Sequence, residues 1–288
     1  MNPAAAVCPL TDLGVLCFRG PDAQRFLQGQ LSNDLERLTA GALLRAGLHN
    51  PQGRTLALLG LLAWSAQELG AILPLELVTE VAALLRRYVL RARVAISDES
   101  AALRVYGLCG LEGAALPAAA LRLEPGRALC VLPASAPAPA GPALAREQWR
   151  ALDIAAGLPQ IYRATAGQFV AQMLNLDCID AISFSKGCYT GQEVIARAHY
   201  RGRVKRRMQR FASAGELALA PGNALTLEDG RAARVIEAVR REDGGCEFLA
   251  VAPLPGSERE DTAQASADAG AGPRVRVRAL PLPYELPA

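Results

Sequence analysis

Histidine is nearly absent from this chain, with two in 288 residues, and aromatic residues make up only 5%. Packed cores must therefore rest on Leu, Ala and Val. The seven cysteines (Cys8, Cys17, Cys109, Cys130, Cys178, Cys188 and Cys246) are scattered and odd in number, and no Cys-x-x-Cys pair occurs. That pattern argues against both a structural zinc site and a disulfide framework, and most of these thiols are expected to be small buried hydrophobes. Long apolar runs are missing as well. Stretches such as Thr55 to Trp64 fall short of the ~18–20 residues that span a bilayer. The N-terminus has no basic flank followed by an apolar core, so no signal peptide is read and the cytoplasm is the expected compartment. Net charge is only +3, too little to argue from charge alone for nucleic acid or a membrane surface.

What the chain does have is length and apolar material. At 288 residues and 51% hydrophobic content, two or more substructures are the natural expectation. Asp12 to Phe18 reads as a strand, and Gly20-Pro21-Asp22 opens a helix whose buried face carries Ala23, Phe26, Leu27 and Leu31. Strands over Leu43–Leu48 and Thr55–Leu62 flank the turn Asn50-Pro51-Gln52-Gly53. Leu77, Val81, Leu84, Leu85, Tyr88 and Val89 mark an amphipathic helix, and strand-like runs follow at Arg93–Ile96, Leu103–Leu108 and Ala128–Leu132. The Ala/Pro-rich segment Ala134–Pro142 breaks the pattern. A helix over Arg146–Ala156 then ends at Gly157 with Pro159 beyond. After Arg207 short strands (Gln209–Ala212, Ala224–Leu227, Arg234–Val239, Phe248–Ala252, Val275–Leu280) alternate with Gly/Pro turns, the texture of a small antiparallel barrel. Ser257 to Gly272 is polar and reads as a loop.

One segment carries chemistry: Lys186-Gly187-Cys188-Tyr189-Thr190-Gly191-Gln192-Glu193, followed by Arg197. Thr190 and Glu193 have capping-box spacing, which predicts a helix N-cap at Thr190 with Cys188 two residues before it. The helix dipole and Lys186 would then favour a thiolate, and Gly187 and Gly191 would let a ligand approach the backbone. The plainer reading is a cap at Glu193, a solvated Lys186 and a packed Cys188. A second cluster, the basic run 197–210, holds Arg197, His199, Arg201, Arg203, Lys205, Arg206, Arg207 and Arg210. Read as an RNA footprint it lacks an accompanying fold motif, so a solvated or inter-domain charged strand is expected and direct nucleic-acid binding is not.

The eight-residue segment with Arg197 resembles the signature of the YgfZ family within the glycine-cleavage T-protein (aminomethyltransferase) superfamily. Collinear resemblances accompany it: Gly20 with Phe26–Leu31 and Asn33-Asp34, Asn50–Arg54, Trp149 to Pro159, Phe169, Asn175-Leu176, Ser183-Phe184 and the ending Leu280–Tyr284. The resemblance implies an α+β fold. Two ferredoxin-like α/β substructures form a ring around a folate site, with a small C-terminal antiparallel β-barrel. The implied division is a folate-binding region over 1–207 (substructures 1–45 with 143–207, and 46–142) and a barrel over 208–288. It implies tetrahydrofolate or another reduced folate as cofactor, and support for iron–sulfur enzymes or their assembly factors, with an indirect effect on tRNA modification. Cys188 is implied as the functional thiol. Trp149, Asp34, Lys186, Tyr189, Gly191, Gln192, Glu193 and Arg197 are the implied folate-site candidates. Asp34 or Glu193 would meet the pterin, Trp149 the ring slot, and Arg197 or Arg201 the glutamate tail.

Departures matter. The family's other folate tryptophan corresponds to Leu13, and the transferases' acidic pair after Gly53 corresponds to Ala57 and Leu58, which cannot relay a proton. A further acid is replaced by Ala155, and a two-residue helical shift is expected to turn Asp153 away from that place. The expectation is folate binding without the transferase reaction. A folate-dependent one-carbon enzyme, and an RNA-binding module using the basic run, are the alternatives.

Overall fold

The computed structural model describes residues 6–110, 119–123, 126–202, 204–255 and 272–287. The expected loop from Ser257 lies outside the described residues up to Gly272, as does Arg203 of the basic run.

Three sheets make up the described chain. In the four-stranded sheet, β1 (Ala6–Pro9) pairs with β7 (Leu103–Cys109), with β9 (Arg127–Pro133) and then β8 (Ala120–Arg122) beyond it. The five-stranded sheet has the order β3 (Leu44–His49), β4 (Thr55–Ser65), β5 (Glu68–Pro74), β2 (Leu13–Arg19), β6 (Ala95–Asp98). Both are antiparallel throughout. Strand β4 is buried on both faces through most of its length, which is why its sequence is an apolar run and not an alternation. The β3–β4 turn is tied by Asn50, whose side chain accepts from the Arg54 amide at 2.9 Å, and Gly53 supplies the left-handed φ of 69°.

The six-stranded sheet is C-terminal, in the order β14 (Arg274–Val275), β11 (Ala224–Leu227), β12 (Ala232–Arg240), β13 (Cys246–Pro253), β10 (Arg206–Ser213), β15 (Arg278–Leu280). Its own core centres on Phe211 and Phe248, whose rings stack 5.5 Å apart. Between Val235 and Glu237 the register of β12 against β13 slips by one residue, a β-bulge that leaves Ile236 without a partner and presents Glu237 away from that core.

Four helices cover the sheets. Helix α1 (Ala23–Gln28) and helix α2 (Val78–Arg86) pack Phe26, Leu27, Val81 and Leu85 into the main core. Helix α3 (Arg146–Ala155) buries Trp149 and Ile154, and its C-terminal end is held by Tyr284, whose hydroxyl donates to the Gly157 carbonyl at 2.7 Å. Helix α4 (Gln192–Tyr200) follows the signature loop.

Several elements differ from the sequence reading. Strands β1, β5 and β8 were not anticipated, and the expected strand Val275–Leu280 is two short strands on opposite edges of the sheet. The capping box is not made. Gly191, at φ 83°, is itself the N-cap and no side chain caps the helix. The reason is a close approach: a Cβ at residue 191 would lie 2.5 Å from the Asn50 carbonyl oxygen. The chain must turn left-handed there, so the helix begins later than a Thr190 cap would place it.

Candidate functional site

A spacing on α3 brings polar groups to the edge of a cavity. Arg146, Trp149, Arg150 and Asp153 recur at i, i+3, i+4 and i+7, so they share one helix face. Arg146, Trp149 and Asp153 of that face line a cavity of about 100 Å³ whose apolar wall includes Leu13, Leu58 and Ile72 and whose polar groups also include Arg45, Gln160 and Glu237, while Arg150 lines the cleft next to it.

Arg146 and Glu237 belong to one connected chain of polar groups, and Asp153 to a separate pair. Arg146 donates from Nε and Nη2 to the two carboxylate oxygens of Asp12, each at 2.8 Å. Its remaining nitrogen, Nη1, is buried and has no protein partner. Arg150 lies between two acids, 3.4 Å from Glu237 and 3.8 Å from Asp12. Tyr162 closes the far end, donating its hydroxyl to Glu237 at 2.5 Å. On the other side Asp153 accepts from Arg127 at 2.9 Å, and the Arg127 guanidinium lies 4.9 Å from the centre of the Trp149 ring.

Burial dominates the electrostatics. It raises the Asp153 carboxyl above the usual aspartate range, against the pull of Arg127. Although deep in the protein, Asp153 keeps 28% of its side-chain surface open, because it faces the cavity. Glu237 is likewise raised by burial, opposed by Arg150 and by the Tyr162 hydrogen bond. Burial is the largest influence on Asp12 and opposes its ionisation, but the hydrogen bonds and charge of Arg146, with the charge of Arg150, together outweigh it and hold the carboxyl low. A second, wider cleft of about 590 Å³ shares Glu237 with the cavity and is lined by Arg150, Tyr162 and Arg163.

The sequence-derived candidates divide between two places. Trp149, Leu13 and Leu58 meet at the cavity, whereas Ala57 packs in the core beside it. Asp153 is a correction: the helical shift expected to turn it away brings it onto the Trp149 face, four residues on, and into the cavity. The remaining candidates gather at the signature loop. Lys186 is buried, and its ammonium donates to the carbonyls of Gln28, Leu31 and Asn33 at 2.5, 2.7 and 2.9 Å. It also lies 5.2 Å from the centre of the Tyr189 ring. Burial lowers its pKa to about 8, with Asp34 pulling the other way. Asp34 accepts from the Gln28 side chain and from the Glu36 amide, so its carboxylate is engaged locally. Gln192 accepts from the Tyr189 amide at 3.4 Å, while Glu193 and Arg197 are exposed on α4. Cys188 is an exposed free cysteine in this loop, not packed.

Sequence reasoning passed over Asp12, Arg146, Arg150, Tyr162 and Glu237. The α3 period was available to find two of them; nothing local marks Glu237, which the β12 bulge delivers.

No family model matches the chain. Whole-sequence similarity is clear nonetheless. The chain is 32% identical over 273 residues to the tRNA-modifying protein YgfZ of Klebsiella pneumoniae (strain 342), covering 82% of this chain and 81% of that one. To the protein of the same name from Edwardsiella ictaluri (strain 93-146) it is 34% identical over 266 residues, with 81% and 80% covered. An uncharacterized protein of Haemophilus influenzae is 32% identical over 201 residues, 69% of this chain and 70% of that one. Among solved structures, the glycine cleavage system aminomethyltransferase T from Bartonella henselae superposes with a TM-score of 0.64 over 88% of this chain and 79% of that one. At 13% identity that likeness establishes the fold, a strand-rich α+β fold of the T-protein type.

Proposed function

This chain belongs to the YgfZ family, and from that membership we propose that it binds tetrahydrofolate or another reduced folate in the α3 cavity and supports iron–sulfur enzymes through Cys188. One observation carries the folate half: a single helix face sets a carboxylate, an aromatic ring and an arginine with an unspent donor around one enclosed space. A pterin offers a row of N–H donors, which suits the Asp153 carboxylate, and a carbonyl oxygen, which suits Arg146 Nη1. Leu13 supplies apolar wall where the family pattern expects an aromatic ring, and Leu58 where the transferases carry an acid. A bound reduced folate would supply a carrier for one-carbon units; the chain's own residues orient it.

The proposal extends to organisation. Residues 1–207 form the ring around the folate and 208–288 the small barrel; the reach of Glu237 from β12 into the cavity supports placing the second against the first. The names of the relatives connect the family to tRNA modification, and we place this chain upstream of it, through the enzymes it supports. Cys188 would meet a partner; its exposure in the signature loop supports this. A single thiolate cannot hold an iron–sulfur cluster, which takes four protein ligands, so the remaining ligands come from the partner enzyme or assembly factor. A cytoplasmic setting is part of the proposal; no helix among the described residues is long and apolar enough to cross a membrane.

A second reading has its own observation. Asp153 returns a proton-handling carboxyl to a cavity whose expected acids are replaced by Ala57 and Leu58, so one-carbon transfer stays chemically open.

The deciding experiment is an anaerobic calorimetric titration with tetrahydrofolate of the wild type and of Asp153→Asn and Trp149→Ala. Saturable binding is expected, weakened about 10- to 100-fold in Asp153→Asn, the worth of a hydrogen bond to a charged group at ~1.5–3 kcal/mol. Absence of binding by the folded wild type would sink the folate reading. Release of a one-carbon unit from a loaded folate, lost in Asp153→Asn, would select the second reading.

A further inference from the structure

Arg150 is the one polar member of the α3 face that does not line the cavity. It lines the neighbouring cleft of about 590 Å³, and Glu237 lines both spaces. Tyr162, Leu219 and Pro221 supply further cleft wall. Arg150 lies 3.4 Å from Glu237 and 3.8 Å from Asp12, the acid that Arg146 holds on the cavity side. The border between the two spaces is therefore built from side chains.

Size makes the border matter. At about 100 Å³ the cavity falls below the ~300–1,000 Å³ of sites that bury most of a small-molecule ligand, whereas the cleft falls within that range. A reduced folate is long: a bicyclic pterin, then a benzoyl ring, then a glutamate that carries its carboxylates. A ligand whose pterin sits against Asp153 and Arg146 must continue beyond the cavity. The cleft across Glu237 is an adjoining space large enough to take the rest.

The arginines differ in how far their donors are committed. Arg146 gives two hydrogen bonds to Asp12. Arg163, which also lines the cleft, donates to the Glu76 carbonyl at 2.7 Å and lies 3.0 Å from Glu80. Arg150 makes no comparable bond. Asp12 at 3.8 Å is beyond hydrogen-bond range, and the Arg150 Nε is buried without a hydrogen-bond partner. The acids of the cleft are engaged elsewhere: Glu237 accepts from Tyr162 and from the Ala238 amide, and Glu76 accepts from the Arg163 amide. Charge thus holds the Arg150 guanidinium in place while its planar fork stays open to an acceptor from outside. Arg197 and Arg201, which the sequence offers for a glutamate tail, are exposed on α4 and at its C-cap, and line neither space.

We propose that the cleft is a second compartment of the ligand site and that Arg150 anchors it, bonding amide or carboxylate oxygens of the benzoyl-glutamate end while the pterin stays in the cavity. The inference rests on the folate reading and places the part of the molecule which that reading left unplaced. Recognition is then divided. The cavity reads the pterin, the cleft reads the acylated glutamate, and a simple pterin is a poor ligand.

The test is anaerobic calorimetry of the full chain with tetrahydrofolate and with 6-methyltetrahydropterin, which keeps the ring system and lacks the benzoyl-glutamate end. The smaller compound is read by competition against tetrahydrofolate. The wild type should bind it at least about tenfold more weakly than tetrahydrofolate, the loss of one hydrogen bond to a charged group. Arg150→Gln should lose about 10- to 100-fold in affinity for tetrahydrofolate, and less than about twofold for 6-methyltetrahydropterin. A role confined to holding the cavity together would weaken both ligands alike. Ala220→Trp is the second variant, independent of whether Arg150→Gln folds. Ala220 is exposed, lines the cleft and takes no part in the ion pairs, so a bulky ring there should weaken tetrahydrofolate and spare the pterin. Tetrahydrofolate bound by folded Arg150→Gln as tightly as by the wild type, or equal losses of both ligands, would overturn the role of Arg150. Tetrahydrofolate bound by Ala220→Trp as tightly as by the wild type would overturn the second compartment. Binding of neither compound by the wild type is a separate result, which removes the folate reading and this inference with it.

Discussion

Acidification should weaken this protein through His49. The ring is buried at the end of β3, where its Nδ1 lies 3.3 Å from the Thr55 hydroxyl and its Nε2 has no partner. Burial drives its pKa down to about 3, whereas an unfolded chain titrates it near ~6.5. Between those values the unfolded chain binds a proton that the folded one refuses, so stability falls as pH falls below ~6.5. At pH 5 the loss is 2.303RT times ~1.5 units, about 2 kcal/mol relative to pH 7.5. That figure scarcely depends on the folded value, provided it lies well below 5. Urea unfolding followed by tryptophan fluorescence at the two pH values, for wild type and His49→Gln, measures it. The substitution has its own packing cost, but that cost is the same at both pH values, and Asp153, Glu237 and Lys186 titrate in both proteins. The wild type should therefore lose about 2 kcal/mol more than the variant between pH 7.5 and 5. Equal losses would refute the reasoning and mean that the imidazolium finds a partner in the folded state.

Other perturbations have definite expectations. Lys186→Met leaves three carbonyls, two of them in buried bonds and one in a part-buried bond, without their donor and should cost about 3 kcal/mol, at ~1 kcal/mol for each bond, in denaturant unfolding at neutral pH. Gly191→Ala forces a Cβ to within 2.5 Å of the Asn50 carbonyl oxygen at a left-handed φ, so a loss above about 1 kcal/mol is expected in the same assay. Cys188→Ser, at an exposed position, should change stability by less than about 0.5 kcal/mol yet abolish support of iron–sulfur enzymes in cells; full support would remove Cys188 from the proposal.

The sequence announced elements wherever local pattern and tertiary demand agreed. Helix α3 was legible because its period, its Gly157 stop and its Trp149 all point the same way, and β11 was read to the residue. Where a distant segment set the conformation, local rules misled. Thr190 and Glu193 had the spacing of a cap, but the Asn50 turn, far back in the chain, dictated a left-handed Gly191. Lys186 looked like a ligand-facing cation, and its partners lie 153 to 158 residues upstream, inside the protein. Strand β5 was missed because Glu68–Pro74 reads as one more apolar run without flanking alternation. The cavity's polar set was half visible. Arg146, Arg150 and Asp153 stand in the α3 repeat, while nothing local marks Glu237, which a single extra residue turns toward the cavity.

That extra residue, Ile236, has a consequence for how the two parts of the chain can change. A regular β12 would show Glu237 to one side of its sheet and the next residue to the other, and the Tyr162–Glu237–Arg150 connection would be cut. The C-terminal sheet thus lends the cavity one of its charges. Replacing it with another sheet of the same outline, lacking the slip in register, would strand Arg150 and Tyr162 without their acid. Inheritance of the two parts is coupled at a single backbone irregularity, so variation in the length of β12 should be tolerated on its Arg240 side and rejected between Val235 and Glu237.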